Sequence, residues 1–134
     1  MFTLGVDNLE TALAFYRDGL GFATEGIFGK EFEHGAVAYF DLQSGAKLAL
    51  FSRENLAHDA AISKSPRSAT EMSLVHNVNS IEEVDALMEQ ARRAGAKIIK
   101  VAQKTFWGGY GGYFQDPDGH LWEVVWNPQF VIAE

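Results

Sequence analysis

The chain has 134 residues, 47% of them hydrophobic and 22% charged, with a formal net charge of −7 and no cysteine. These values predict a single soluble globular domain with a real core, and they exclude a disulfide framework, a thiolate metal site and a cysteine nucleophile. The negative charge argues against nucleic acid and anionic membranes as partners and favours neutral or cationic small molecules. No run reaches the length of a membrane span, and the opening residues lack a basic-then-apolar leader pattern, so a cytoplasmic location is expected.

In chain order, Phe2 to Val6 reads as a strand. Asp7 or Asn8 then caps a helix to about Asp18, with Leu9, Ala12, Leu13, Phe15 and Tyr16 as its apolar side and Gly19 and Gly21 ending it. Three strands follow, at about Ala23–Phe28, Ala36–Leu42 and Lys47–Ser52, the last two joined by the turn Gln43-Ser44-Gly45-Ala46. Arg53 to Ala69 is polar, contains Pro66 and shows no period of either kind, so it is predicted to be a linker or a flap. Glu71 to Val78 is again a strand. Asn79 or Ser80 caps a helix from Ile81 to Ala94, with Ser80-Ile81-Glu82-Glu83 as a capping box and Gly95 as the stop. A strand at Lys97–Ala102 leads through an aromatic-glycine loop, Phe106 to Gly112, into a final hairpin.

That hairpin turns on Asp116-Pro117-Asp118-Gly119, whose Asp, Pro and Gly occupy positions i, i+1 and i+3 of a type I turn. Its strands are Tyr113 to Gln115 and Leu121 to Trp126. In the second, Trp122, Val124 and Trp126 form a wholly apolar face, which reads as core. Leu121, Glu123 and Val125 share the other, where Glu123 is a lone carboxylate between aliphatic neighbours. Burying an unpaired charge is costly, so such a residue belongs in a pocket or at a strand edge.

The two halves of the chain repeat. Val6-Asp7-Asn8-Leu9-Glu10 aligns with Val78-Asn79-Ser80-Ile81-Glu82, 72 residues on, while Tyr39-Phe40 aligns with Tyr113-Phe114 and Gly45 with Gly119, 74 residues on. Two copies of a βαβββ unit account for nearly the whole chain: module one at 1–53, a linker at 54–69 and module two at 70–134.

Val6-Asp7-Asn8-Leu9, Ala14-Phe15-Tyr16 and Gly19-Leu20-Gly21-Phe22 resemble the opening of vicinal oxygen chelate proteins. Phe114-Gln115-Asp116-Pro117-Asp118-Gly119 followed by Glu123 resembles the closing motif of their second module. That superfamily holds glyoxalases, bleomycin and fosfomycin resistance proteins and extradiol dioxygenases. The resemblance implies an α+β fold in which two βαβββ modules form an eight-stranded cupped mixed sheet, with helices outside and a ligand cavity inside. It also implies metal positions at Met1, Ala49, Ser73 and Glu123, of which only Glu123 carries a strong donor. Neither a metal nor another cofactor is therefore expected. A homodimer is, since relatives by resemblance cover exposed strand edges with a second subunit.

The histidines offer no replacement ligands: none has HxH or i, i+4 helical spacing with another, and alternation turns His76 toward the helix layer. The glycines at 108, 109, 111 and 112 do not open a helix and no lysine follows them, so they are no phosphate loop. Glu123 is the candidate catalytic residue, its apolar neighbours suiting it to general-base chemistry. The competing reading makes it a hydrogen-bonded structural group. Alternation puts Tyr39, Phe51, Ser73, Tyr113 and Val125 on the inner face as candidate ligand-binding residues. Phe106, Trp107 and Tyr110 are expected in a lid over them. Three functions stay open: a metal-independent binder of a small organic molecule, a lyase, isomerase or dioxygenase with an atypical metal site or with Glu123 as general base, and an interaction module whose cavity its own side chains fill.

Overall fold

The computed structural model describes residues 1–130, with Ser44 described by its backbone alone; module two's last four residues lie outside that range. The chain divides into two compact units, Met1–Arg67 and Ser68 onward.

In the first unit, β1 (Phe2–Val6) leads to α1 (Leu9–Ala14), which Asn8 caps by accepting a hydrogen bond from the Thr11 N–H at 2.9 Å. The helix does not run on in α form to Asp18. It widens into a π-helical turn at Phe15–Gly19, which buries Phe15 and Tyr16 together. Next come β2 (Thr24–Phe28), β3 (Val37–Asp41), a 3-10 turn at Gln43–Gly45 and β4 (Lys47–Ser52). The sheet order is β1-β4-β3-β2, with β1 and β4 parallel and the other pairs antiparallel. Leu4, Val6, Ala38, Phe40, Leu48 and Leu50 form its buried face. Tyr16 meets Phe40 there, with ring centroids 5.9 Å apart.

The second unit repeats this plan. It contains β5 (Ser73–Val78), α3 (Ile81–Arg93), β6 (Lys97–Lys104), β7 (Tyr110–Gln115) and β8 (Leu121–Trp126), in the order β5-β8-β7-β6 with β5 and β8 parallel. Ser80 accepts from the Glu83 N–H at 3.1 Å, and Glu83 accepts from the Asn79 N–H at 2.6 Å, one residue before the usual capping-box donor. Val84, Met88 and Ala91 are the buried stripe of α3. On the sheet, Phe114 and Trp122 stack with centroids 6.1 Å apart. The chain is thus an α+β protein of two βαβββ modules.

Two stretches differ from expectation. Arg53–Ala60, predicted as linker or flap, is a helix, α2. It buries no residue and so carries no apolar stripe to read. It is set locally by the Ser52 cap on the Asn55 N–H (3.0 Å) and by Ala61 in the left-handed region. Its Arg53 donates to Asp7 at 3.1 Å and to the Ser65 carbonyl, and Arg67 also pairs with Asp7, which ties residues 65–67 to the end of β1. The second difference is that β6 and β7 run longer than expected, taking in Lys104 and Tyr110 to Gly112. Gly111 and Gly112 sit in a strand because neighbouring atoms come too close for a side chain. A Cβ on Gly112 would lie 2.8 Å from the Lys100 carbonyl oxygen and 2.9 Å from Met88 Cε. Among the described residues no helix is long and apolar enough to cross a membrane.

Candidate functional site on the inner sheet faces

In each module, one sheet face packs under a helix, α1 or α3, and alternation sends the intervening side chains to the opposite face, the one expected from the sequence to be the inner face. In module one that face carries Thr3, Ala49 and Tyr39 in one cross-strand row and Gly5, Phe51 and Val37 in the next. Tyr39 is well exposed, Phe51 half-buried and Ala49 buried. At Gly5 the face is covered from α2, where a Cβ would lie 2.9 Å from Arg53 Cγ.

The inner face of module two is richer. Its central row is Val75, Glu123 and Tyr113. Ser73 lies one row away, beside Leu121 and Gln115, while Asn77, Val125 and Gly111 form the row on the other side. Ser73, Tyr113, Glu123 and Val125 therefore share one face, and strand alternation from Ser73 would also have found Val75 and Asn77. Val75 is 48% exposed, an apolar side chain open to solvent beside the carboxylate. Tyr113 stands directly opposite Glu123 across the β7–β8 pair. The phenol is held above its ordinary value by partial burial first, then by the Glu123 carboxylate. It stays protonated through neutral pH and keeps a proton to donate.

The far end of the face is closed. Val125 is only 4% exposed. A Cβ on Gly111 would meet the Val124 carbonyl oxygen at 2.8 Å and Val125 Cγ2 at 3.2 Å. A Cβ on Gly109 would meet the equivalent Trp126 carbonyl oxygen at 2.6 Å and the Trp107 six-membered ring at 2.2 Å. The two glycines thus present the same side to β8, the side that Val125 shares with Glu123. The Trp107 indole accordingly rests against Gly109 on the inner face.

The expected lid, Phe106 to Gly112, is corrected on two points. From Tyr110 onward it is strand. Tyr110 is paired with Trp126 on the helix face, and its hydroxyl donates to Asp85 of α3 at 2.7 Å, so it takes no part on the inner face. What remains is a hydrogen-bonded hairpin tip in which Thr105 bonds Gly108 and Gly109, with Phe106 fully exposed. Reading glycines as loop formers missed this, because here they permit close approach.

The histidines lie elsewhere. His76 is half-buried on the helix side near Glu83, as alternation required, and burial pulls its pKa below the ordinary 6.5 against that residue's charge. The folded chain then binds fewer protons at this group than the unfolded chain does. Its contribution is full above pH 6.5 and is lost as pH falls through that value toward the depressed folded one. Urea midpoints measured from pH 7.5 down to 5 are expected to fall less steeply in His76→Leu than in wild type; identical slopes would show that His76 is not a source of the acid sensitivity. His34 stacks on His58 with centroids 4.0 Å apart and bonds Asn55 at 2.9 Å, and His120 bonds Asp116 at 2.7 Å.

A divalent cation needs several donors converging, and here the donor set does not fit one. Met1, Ala49 and Ser73 offer a thioether, a methyl and a hydroxyl at three of the four positions that the resemblance implies. Among the described residues no three His, Asp or Glu side chains gather where they could hold a metal.

Repeat, topology and inner-face geometry define a two-module βαβββ protein with an aromatic, carboxylate-bearing sheet face. The chain belongs to the Glyoxalase/Bleomycin resistance protein/Dioxygenase superfamily, whose family profile matches residues 1–124. It is 34% identical to a glyoxalase-related enzyme from Fulvimarina pelagi, covering 98% of this chain and 88% of that one with a TM-score of 0.82. A lactoylglutathione lyase from Agrobacterium tumefaciens shares the fold at 22% identity and a TM-score of 0.70, covering 99% of this chain and 96% of that one. So does a fosfomycin resistance protein from Listeria monocytogenes, at 21% identity and a TM-score of 0.68, covering 94% and 89%.

Proposed function

We propose that this protein binds a small organic molecule on the inner face of module two, without a metal, in the manner of the bleomycin-resistance branch. The observation that carries this reading is the row Val75–Glu123–Tyr113. Its single carboxylate stands directly opposite a protonated phenol and is flanked by exposed apolar surface, an arrangement suited to accept a donor from an organic ligand. Trp107 adds an aromatic wall, and Ser73 a hydroxyl one row away. Tyr39 and Phe51 stand on the equivalent face of module one. Homodimerisation in the cytoplasm belongs to the same proposal, since among the described residues each four-stranded sheet ends in strands with an unpaired edge.

A second reading, a lyase, isomerase or dioxygenase with Glu123 as general base, draws support from the relative from Fulvimarina pelagi, which is described as an enzyme. Thermal-shift measurements separate the two. A ligand that binds only the folded state raises the melting temperature by mass action. Zinc, nickel, manganese and iron(II) are expected to leave it unchanged, while members of a panel of flat neutral and cationic organic molecules raise it. A rise with one metal that Glu123→Gln abolishes would overturn the metal-independent reading. Conversion of a bound panel member to product would favour the enzyme.

A further inference from the structure

The hairpin tip between β6 and β7 is organised by one side chain. The Thr105 carbonyl accepts from the Gly108 N–H at 3.3 Å, and its own N–H donates to the Gly109 carbonyl at 3.0 Å. Any residue can make those two bonds. The third is particular to a hydroxyl: Thr105 Oγ1 accepts from the Gly109 N–H at 2.8 Å. Gly108, at φ +98°, supplies the left-handed residue that closes a three-residue hairpin loop. Gly109 is thereby held at both its N–H and its carbonyl, and its bare α-carbon is the surface on which the Trp107 indole lies. The indole is still 42% exposed, so it retains surface to offer a ligand.

We infer that Thr105 is a positioning residue which, acting through Gly109, fixes the Trp107 indole as a preformed wall of the inner face. For its ligand the inference rests on the function proposed above; for its geometry it does not. A tryptophan followed by two glycines and left unpinned would sample several rotamers, and ordering it on binding would weaken affinity about two- to tenfold. With the Gly109 N–H held by Thr105, that ordering is complete before a ligand arrives. Binding then requires no lid to close.

Two readouts test this. With 5-fluorotryptophan incorporated, the Trp107 fluorine resonance is assigned by its loss in Trp107→Phe. Thr105→Val keeps the side chain's shape and removes Oγ1. It is expected to move or broaden the Trp107 signal toward that of a free indole while leaving Trp122 and Trp126 in place. Thr105→Ser, which keeps the hydroxyl, leaves all three unchanged. A Trp107 signal that is the same in Thr105→Val as in wild type overturns the inference. The second readout is calorimetry with 1-naphthylmethylamine as probe. Thr105→Val is expected to weaken binding about two- to tenfold in the wild-type background and not at all in Trp107→Ala. Equal losses in both backgrounds would mean that Thr105 does not act through Trp107, and the inference falls. No binding of the probe to wild type counts against the proposed function instead, and the fluorine spectra then decide the positioning role.

Discussion

Replacing Asp116 with alanine is expected to lower the unfolding free energy by about 2–4 kcal/mol, the range for removing a buried carboxyl group from several hydrogen-bond donors. The Asp116 side chain is only 1% exposed. Its Oδ1 accepts from the Asp118 N–H at 2.9 Å and the His120 N–H at 2.8 Å, while Oδ2 meets His120 Nδ1 at 2.7 Å. Alanine leaves those donors without an acceptor at a place water reaches poorly, and the turn that registers β7 against β8 loses its brace. That register sets Tyr113 opposite Glu123, so the site depends on it. Asparagine keeps one carbonyl oxygen for the two backbone donors and is expected to cost less than half as much. Urea unfolding of both variants measures this. A loss below about 1 kcal/mol in Asp116→Ala would show that proline and glycine hold the turn without the carboxylate.

The second large effect is expected at Gly112, where alanine should cost about 1–3 kcal/mol by overpacking. Of the atoms its methyl would strike, the Lys100 carbonyl oxygen at 2.8 Å and the Ala102 nitrogen at 3.0 Å are backbone of β6, and only Met88 Cε at 2.9 Å can swing aside. The strand pair must therefore shift, and α3 with it. Shortening Met88 to alanine relieves one contact of three, so the Gly112→Ala penalty should persist in that background. If it vanishes there, the thioether was the whole obstacle and β6 has more give than its spacing indicates.

These two residues show how much of the molecule was legible beforehand. Asp116 belongs to a turn whose residue types state their own geometry, and the hairpin was readable from them. The repeat was equally plain, because Val6-Asp7-Asn8 and Val78-Asn79-Ser80 begin helices by the same cap chemistry in both modules. Alternation correctly placed Ser73, Tyr113, Glu123 and Val125 on one face and His76 on the other. What failed was the meaning of glycine. Gly111 and Gly112 read as loop because glycine weakens strands in general, whereas here the Val124 carbonyl at Gly111, and the Lys100 carbonyl and Met88 at Gly112, leave no room for a Cβ. Tyr110 was drawn into a lid by the same error and belongs to the helix side. Accessibility was invisible too: alternation gives the face of Val125 but not that it is almost fully covered. Helix α2 escaped notice because capping formed it and no apolar stripe marked it.

The Val75–Glu123–Tyr113 row is proposed to receive an organic ligand with no metal present. Amide chemical-shift mapping in EDTA tests it most directly, using whichever panel compound gives the largest thermal shift. Perturbations are expected to concentrate on Val75, Tyr113, Leu121 and Glu123 and at the Trp107 hairpin tip. Glu123→Gln should weaken a cationic compound more than a neutral one, because only the cation loses its Coulomb partner. Perturbations confined to other faces, or a footprint on this row that appears only when a divalent metal is added, would contradict it.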